Sequence, residues 1–140
     1  MTDRSADRLA IIEAISKYAF GYDEADFSLL EDVFTEGAIS GGKITGTEIS
    51  WGPMSGRSEV LSGLKSMREG QSIQPRHCVT NALFSELSDD RARLRCYLTL
   101  MASEHAKAGI ATCGRLDVEA AREDGNWKLS RLDVTLDAPF

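Results

Sequence analysis

The hydrophobic period changes near residue 76 from a helical to a strand rhythm, and that switch limits the fold more than any other feature. Ala92, Leu94, Cys96, Leu98 and Leu100 alternate with Arg91, Arg93, Arg95, Tyr97, Thr99 and Met101. A two-residue repeat of this length is a long strand with one face against a core. Residues 110–121 give a second such strand, with Gly114 predicting a bulge or bend. Asp124-Gly125-Asn126 is a hairpin signature leading into a third strand over 127–136. On that strand Trp127, Leu129, Arg131, Asp133 and Thr135 fall on one face by simple alternation. Residues 76–86 read as a further strand turning at Ser88-Asp89-Asp90, and 104–109 as a loop.

The first half reads differently. Leu9, Ile12, Ile15 and Ala19 recur at helical spacing, widened by Ile11 and Tyr18 toward Tyr22, and predict a helix over 5–21. Gly21 marks its close or a bend. Asp26 is a suitable N-cap for a second helix reaching Phe34, with Ser28 and Glu31 as a competing capping box. A short strand over 38–40 and a turn at Gly41-Gly42 follow. A strand within 45–53 comes next, then a third helix to Arg68, capped by Ser55 or Ser58, with Val60, Leu61, Leu64 and Met67 as its apolar face. Helices first and long antiparallel strands afterwards define an α+β chain, a curved sheet wrapped on helices around an apolar cavity.

The chain has 140 residues, which suits one domain. Its net charge of -6 argues against nucleic acid as a partner. The only local basic cluster, Arg91, Arg93 and Arg95, lies on one strand face, solvated or at an interface. No apolar run is long enough to cross a membrane. The polar start MTDRSADR has no signal-peptide core, which implies a cytoplasmic location. Cys78, Cys96 and Cys113 are an odd number in apolar strand-like segments and read as buried thiols. Two histidines, His77 and His105, rule out a histidine-rich metal site. The GGKITG run lacks the length and ending of a phosphate loop, and no dinucleotide motif is present. No cofactor is therefore expected.

The stretch YAFGYDEADFSLLEDVF sets Tyr18 and Tyr22 four apart on one helical face, with Asp23 at the corner that follows. A histidine, His77, arrives later on a strand. An imidazole titrates near ~6.5, which suits proton abstraction at neutral pH. A neighbouring carboxylate would fix its tautomer. The residues alone are equally those of a strand histidine bonded to backbone and a helix-corner acid. Tyr22 and Tyr18 can donate to a substrate carbonyl or fill core. Arg131 can clamp an anion or sit on the surface. Trp51, Met54, Met67, Phe84 and Met101 are candidate cavity walls. Asn81 lies on the same strand face as His77 by alternation, able to touch substrate or pair at the sheet edge.

Taken in order, YAFGYDEADFSLLEDVFTEGA, PRHCVTN and DGNWKLSRLDV resemble the SnoaL-like branch of the nuclear transport factor 2-like superfamily, over nearly the whole chain. That superfamily includes scytalone dehydratase, ketosteroid isomerase and gamma-hexachlorocyclohexane dehydrochlorinase. The resemblance implies a single domain over 1–140, cone-shaped, with three N-terminal helices. It implies that Asp23 and His77 form a general-base pair, and that Tyr22 matches the tyrosine before the acid in scytalone dehydratase. A second catalytic histidine on the following strand is absent, since residues 97–103 contain none. Arg131 stands near the place of the dehydrochlorinase arginine. An Asp-Arg-Asp hydrolase arrangement has Asp117, Arg115 and Asp133 available, with nothing to fix their geometry. The implied activity is that of a cofactor-independent lyase of dehydratase type, on a small cyclic or polyketide-like hydroxy compound of apolar or aromatic-like character. A ketosteroid-isomerase-like isomerase, a cyclase, and a non-catalytic binder or scaffold subunit are the alternatives. Relatives pack the outer sheet face into oligomers, so a homodimer or homotrimer through that face is expected.

Overall fold

The structure, a computed structural model, describes residues 3–140. Helix α1 spans Ser5–Asp23 and α2 Phe27–Glu31; α3 spans Arg57–Glu69. The strands are β1 (Phe34–Ile44), β2 (Ser50–Ser55), β3 (Gln74–Leu87), β4 (Arg91–Glu104), β5 (Lys107–Glu123) and β6 (Asn126–Leu136). They form one six-stranded curved sheet in the order β2-β1-β6-β5-β4-β3. All pairings are antiparallel except β1 with β6, which run parallel. The sheet is therefore mixed, although every connection among the long strands is a hairpin.

The helices lie against one face of this sheet. Helix α1 buries Ile11, Ala14, Ile15, Tyr18, Ala19 and Tyr22, while Leu9 and Ile12 are exposed. The expected stripe was rotated because α1 carries apolar residues nearly all round, so spacing did not single out the buried side. Its first turn is clamped to the β5–β6 hairpin: Asp7 accepts from Trp127 Nε1 at 3.0 Å and from Arg122 Nη2 at 2.6 Å. Gly21 does not end the helix. A methyl there would strike Leu30, so this glycine lets α2 close onto α1. Asp26 caps α2 through Leu29 N–H at 3.2 Å, but the helix stops at Glu31 and Phe34 already opens β1.

Gly41 and Gly42 belong to β1 rather than to a turn. The Trp51 ring of β2 lies where a Gly42 side chain would project, so the glycine makes room for an indole. Helix α3 begins after Gly56, with no side-chain cap. The β4–β5 connection is tighter than a loop over 104–109. His105 and Ala106, both at positive φ, make the two-residue turn, and β5 starts at Lys107. Asp124 and Gly125, also at positive φ, close the β5–β6 hairpin as their sequence indicates. Gly114 sits in register, opposite Leu98 and Leu136. Close approach of the Thr135 carbonyl, not a bulge, requires it.

The bulges fall elsewhere. One interrupts β6 between Leu129 and Arg131, at Ser130. Before it Trp127 and Leu129 face the core; after it Leu132 and Leu136 do, and Arg131 is turned out. Another interrupts β3 between Thr80 and Leu83, with Asn81 at φ 59°. Each extra residue reverses the faces beyond it. Of the cysteines only Cys96 is buried; Cys78 and Cys113 lie exposed on the outer face.

Candidate functional site

Strand β3 is an edge of the sheet, and an edge strand presents backbone groups without a strand partner. The C-terminal end of α1 covers this edge. Asp23, the last residue of α1, accepts from the His77 backbone N–H through Oδ2 at 2.7 Å. Its other oxygen, Oδ1, lies 2.6 Å from His77 Nδ1. One residue thus occupies both carboxylate oxygens. Both side chains are buried, His77 at 10% and Asp23 at 6% exposure, so water competes little for either bond. A carboxylate only accepts. Nδ1 must therefore carry a proton, and in the neutral ring the lone pair is on Nε2.

The corner holding Asp23 is itself held. The carbonyls of Tyr22 and Asp23, at the helix end, accept from Arg68 Nε at 3.1 and 3.4 Å. Gln74 Nε2 donates to the Asp23 carbonyl at 2.8 Å. The end of α3 and the start of β3 are thereby fastened to the end of α1.

His77 opens onto a cavity of about 440 Å³ between the sheet and the helices, walled by Trp51, Ile44, Met67, Leu98, Leu100 and Leu136 among others. Tyr18 and Tyr22 stand over the imidazole edge-on, with ring centroids 5.7 and 5.2 Å away. Their hydroxyls differ. Tyr22 donates to Gln71 Oε1 at 2.9 Å. Among the described residues Tyr18 Oη has no protein partner, and no buried side-chain oxygen is left unpaired; its hydroxyl faces the cavity. Burial pushes the Tyr22 phenol up to about 12, and burial raises Tyr18 further. Both stay protonated as donors. Ser40 also lines the cavity but spends its proton on the Leu132 carbonyl at 2.8 Å.

His77, Asp23, Tyr18, Tyr22 and Trp51 therefore converge, and three expected residues do not. Met54 packs on Gly63 of α3, behind the wall. Asn81 is carried by its bulge to the outer sheet face, beside Tyr97 and Arg115. Arg131, displaced by the Ser130 bulge, lies on that outer face too and pairs with Asp133 at 2.7 Å. Of the other candidate walls Met67 lines the cavity, whereas Phe84 packs beneath Arg8. Sequence reading passed over Gln71. It lies in a loop between elements, and only the Tyr22 hydroxyl beside it marks it.

A curved sheet on N-terminal helices is the architecture of the nuclear transport factor 2-like proteins, also described as cystatin-like. A SnoaL-like domain model matches residues 3–133, and the chain belongs to the SnoaL-like family. A Nostoc punctiforme protein of unknown function with a cystatin-like fold superimposes with a TM-score of 0.83 at 22% identity, over 98% of this chain and 96% of that one. LinA, a hexachlorocyclohexane dehydrochlorinase, has a TM-score of 0.77 at 20% identity, over 98% and 91%. A Catenulispora acidiphila protein in complex with S-DNPA has a TM-score of 0.77 at 18% identity, covering 94% of each chain. No curated protein matches the chain. Among the described residues no helix is long and apolar enough to cross a membrane.

Proposed function

We propose that this protein is a cofactor-independent lyase of dehydratase type, with His77 as its base. The observation that carries the reading is the 2.6 Å contact between His77 Nδ1 and Asp23 Oδ1, which supports a neutral ring with its proton on Nδ1 and its lone pair on Nε2. The substrate is a small neutral ring compound with a carbonyl and a hydroxyl on the next carbon but one. Nε2 takes the proton from the carbon between them. The C–H electron pair moves toward the carbonyl oxygen, where the Tyr18 hydroxyl donates to the developing enolate. When that pair returns, the new double bond forms and the C–O bond to the hydroxyl breaks. The imidazolium gives its proton to the departing oxygen, so water leaves and neutral His77 is restored. Proton and hydroxyl must therefore leave from one face of the substrate. An isomerase would use the same base and return the proton to a different carbon.

The test is deuterium uptake from solvent at the α-carbon of 1-tetralone, a bicyclic ketone, followed by mass spectrometry. Uptake above the buffer rate that disappears in His77→Ala, with the circular dichroism unchanged, supports the reading. Full uptake in that variant refutes it. The outer sheet face fits self-association. Leu83 and Tyr97 are exposed there among charge pairs such as Arg93–Glu119 and Arg115–Asp117. A monomeric mass by light scattering at micromolar concentration would contradict a homo-oligomer.

A further inference from the structure

We infer that Gln71 is a substrate-contacting residue whose carboxamide N–H binds the carbonyl oxygen of the ligand, and that Tyr22 is the residue that positions it. The assignment rests on the small-molecule reading of the cavity above.

Gln71 stands just past the end of α3 and lines the cavity. Its backbone is fixed, because its N–H donates to the Arg68 carbonyl at 3.2 Å. The next residue, Ser72, is tied to Glu104 at 2.7 Å. Its side chain is fixed from the other end by the Tyr22 hydroxyl at 2.9 Å. A neutral phenol offers one proton, and the amide oxygen is the group that can take it. That bond turns the NH₂ away from Tyr22. Among the described residues Nε2 donates to no protein acceptor, and no buried side-chain nitrogen is orphaned. The NH₂ is therefore accessible, on a residue that lines the cavity. A hydroxyl committed to an amide is a poor proton donor to substrate. A rigidly held amide with free N–H groups is a good oxygen binder, since little side-chain freedom is lost when it binds.

The test compares 1-tetralone with tetralin, the same bicycle without its oxygen, by quenching of Trp51 in the cavity wall. The wild type is expected to bind the ketone more tightly. Gln71→Leu should reduce that preference by about 3- to 10-fold, the worth of one neutral hydrogen bond. Gln71→Glu keeps an acceptor for Tyr22 and lacks the donor, so it should do the same. Tyr22→Phe should reduce the preference part of the way, and add nothing in the Gln71→Leu background. A merely structural tyrosine would lower both affinities alike and add to Gln71→Leu. If both Gln71 variants keep the wild-type preference, the assignment falls. Exchange dependent on His77 would then stand untouched. If the wild type binds neither probe, the cavity reading falls and takes the assignment with it.

Discussion

Replacing Asp23 by asparagine separates the chemistry of the pair from its structural role. The carboxamide keeps the shape but has one acceptor where the carboxylate has two. It can serve the His77 backbone N–H or the ring, not both. The backbone N–H lies on an edge strand and is covered by this side chain, so leaving it facing an NH₂ would cost about 1–3 kcal/mol. The oxygen therefore turns to the backbone, and the NH₂ faces Nδ1. The ring answers by offering its lone pair at Nδ1 and carrying its proton on Nε2, which can no longer act as a base. Loss of a general base costs about 100- to 10,000-fold. The stability loss is far smaller. Two charge-assisted bonds become neutral ones, about 2 kcal/mol at most, and relief of a buried charge offsets part of it. With about 2.1 cal/mol/K of unfolding entropy per residue over 140 residues, the melting temperature falls by less than about 7 °C. The assays are α-deuterium uptake by 1-tetralone, thermal melting, and ¹⁵N spectra of the imidazole. Uptake within a few-fold of wild type, or Nε2 still unprotonated in the variant, would refute the reasoning.

Arg131→Ala should leave ketone binding and exchange unchanged within about two-fold, since the guanidinium is on the outer face with Asp133; a large loss would place it in the cavity after all. Gly42→Ala should expel the Trp51 ring from its seat on β1, costing about 1–3 kcal/mol as overpacking does and weakening tetralin binding. Alkaline pH should destabilise the fold. Burial lifts Cys96 from 9.0 to about 11 and Tyr22 from 10.0 to about 12, so above about pH 9 the unfolded chain releases protons that the folded one keeps. The stability these groups contribute is full below their ordinary values and is lost as pH rises through the raised ones. Melting temperatures between about pH 8 and 11 should fall less steeply in Cys96→Ala, and an equal slope would count against it.

The parts of the fold written as long regular patterns could be read directly. Strand β4 buries Leu94, Cys96, Leu98 and Leu100 and exposes Arg93 and Tyr97 as its alternation requires, and Asp124-Gly125 makes the turn that its left-handed conformations demand. The proximity of Asp23 and His77 came from the family pattern, because nothing local links residues so far apart in sequence. Misreadings cluster where one inserted residue reverses a face. Counting in twos puts Asn81 on the face of His77 and Arg131 on the face of Trp127 and Leu129, and bulges at Asn81 and Ser130 break the count. The Gly41-Gly42 pair looks like a turn in sequence because glycine permits one. Its actual cause, the Trp51 ring, lies on another strand. Gln71 carries no local signal, and only the packing of α3 against the end of α1 gives it a role.

The charges of the cavity restrict what can leave it. Among the described residues no lysine or arginine lines it. The guanidinium of Arg68 is turned to the α1 carbonyls, and Arg131 is on the far side of the sheet. An anion that outlasts the charge on His77 would meet hydroxyl and amide donors but no compensating cation, and an uncompensated buried charge is costly. A leaving group that departs as a free anion is therefore poorly served, whereas one that departs neutral is not. On the proposed mechanism water qualifies, because the imidazolium formed in the first step would hold the required proton on the same face of the substrate. The enolate escapes the objection, because it lasts only while His77 is charged and its oxygen accepts from Tyr18. The Asp23 carboxylate balances the imidazolium, so the pair and the enolate together carry one negative charge before and after proton transfer. On that proposal, a single base, two neutral donors and apolar walls favour proton transfer and dehydration over release of an ion.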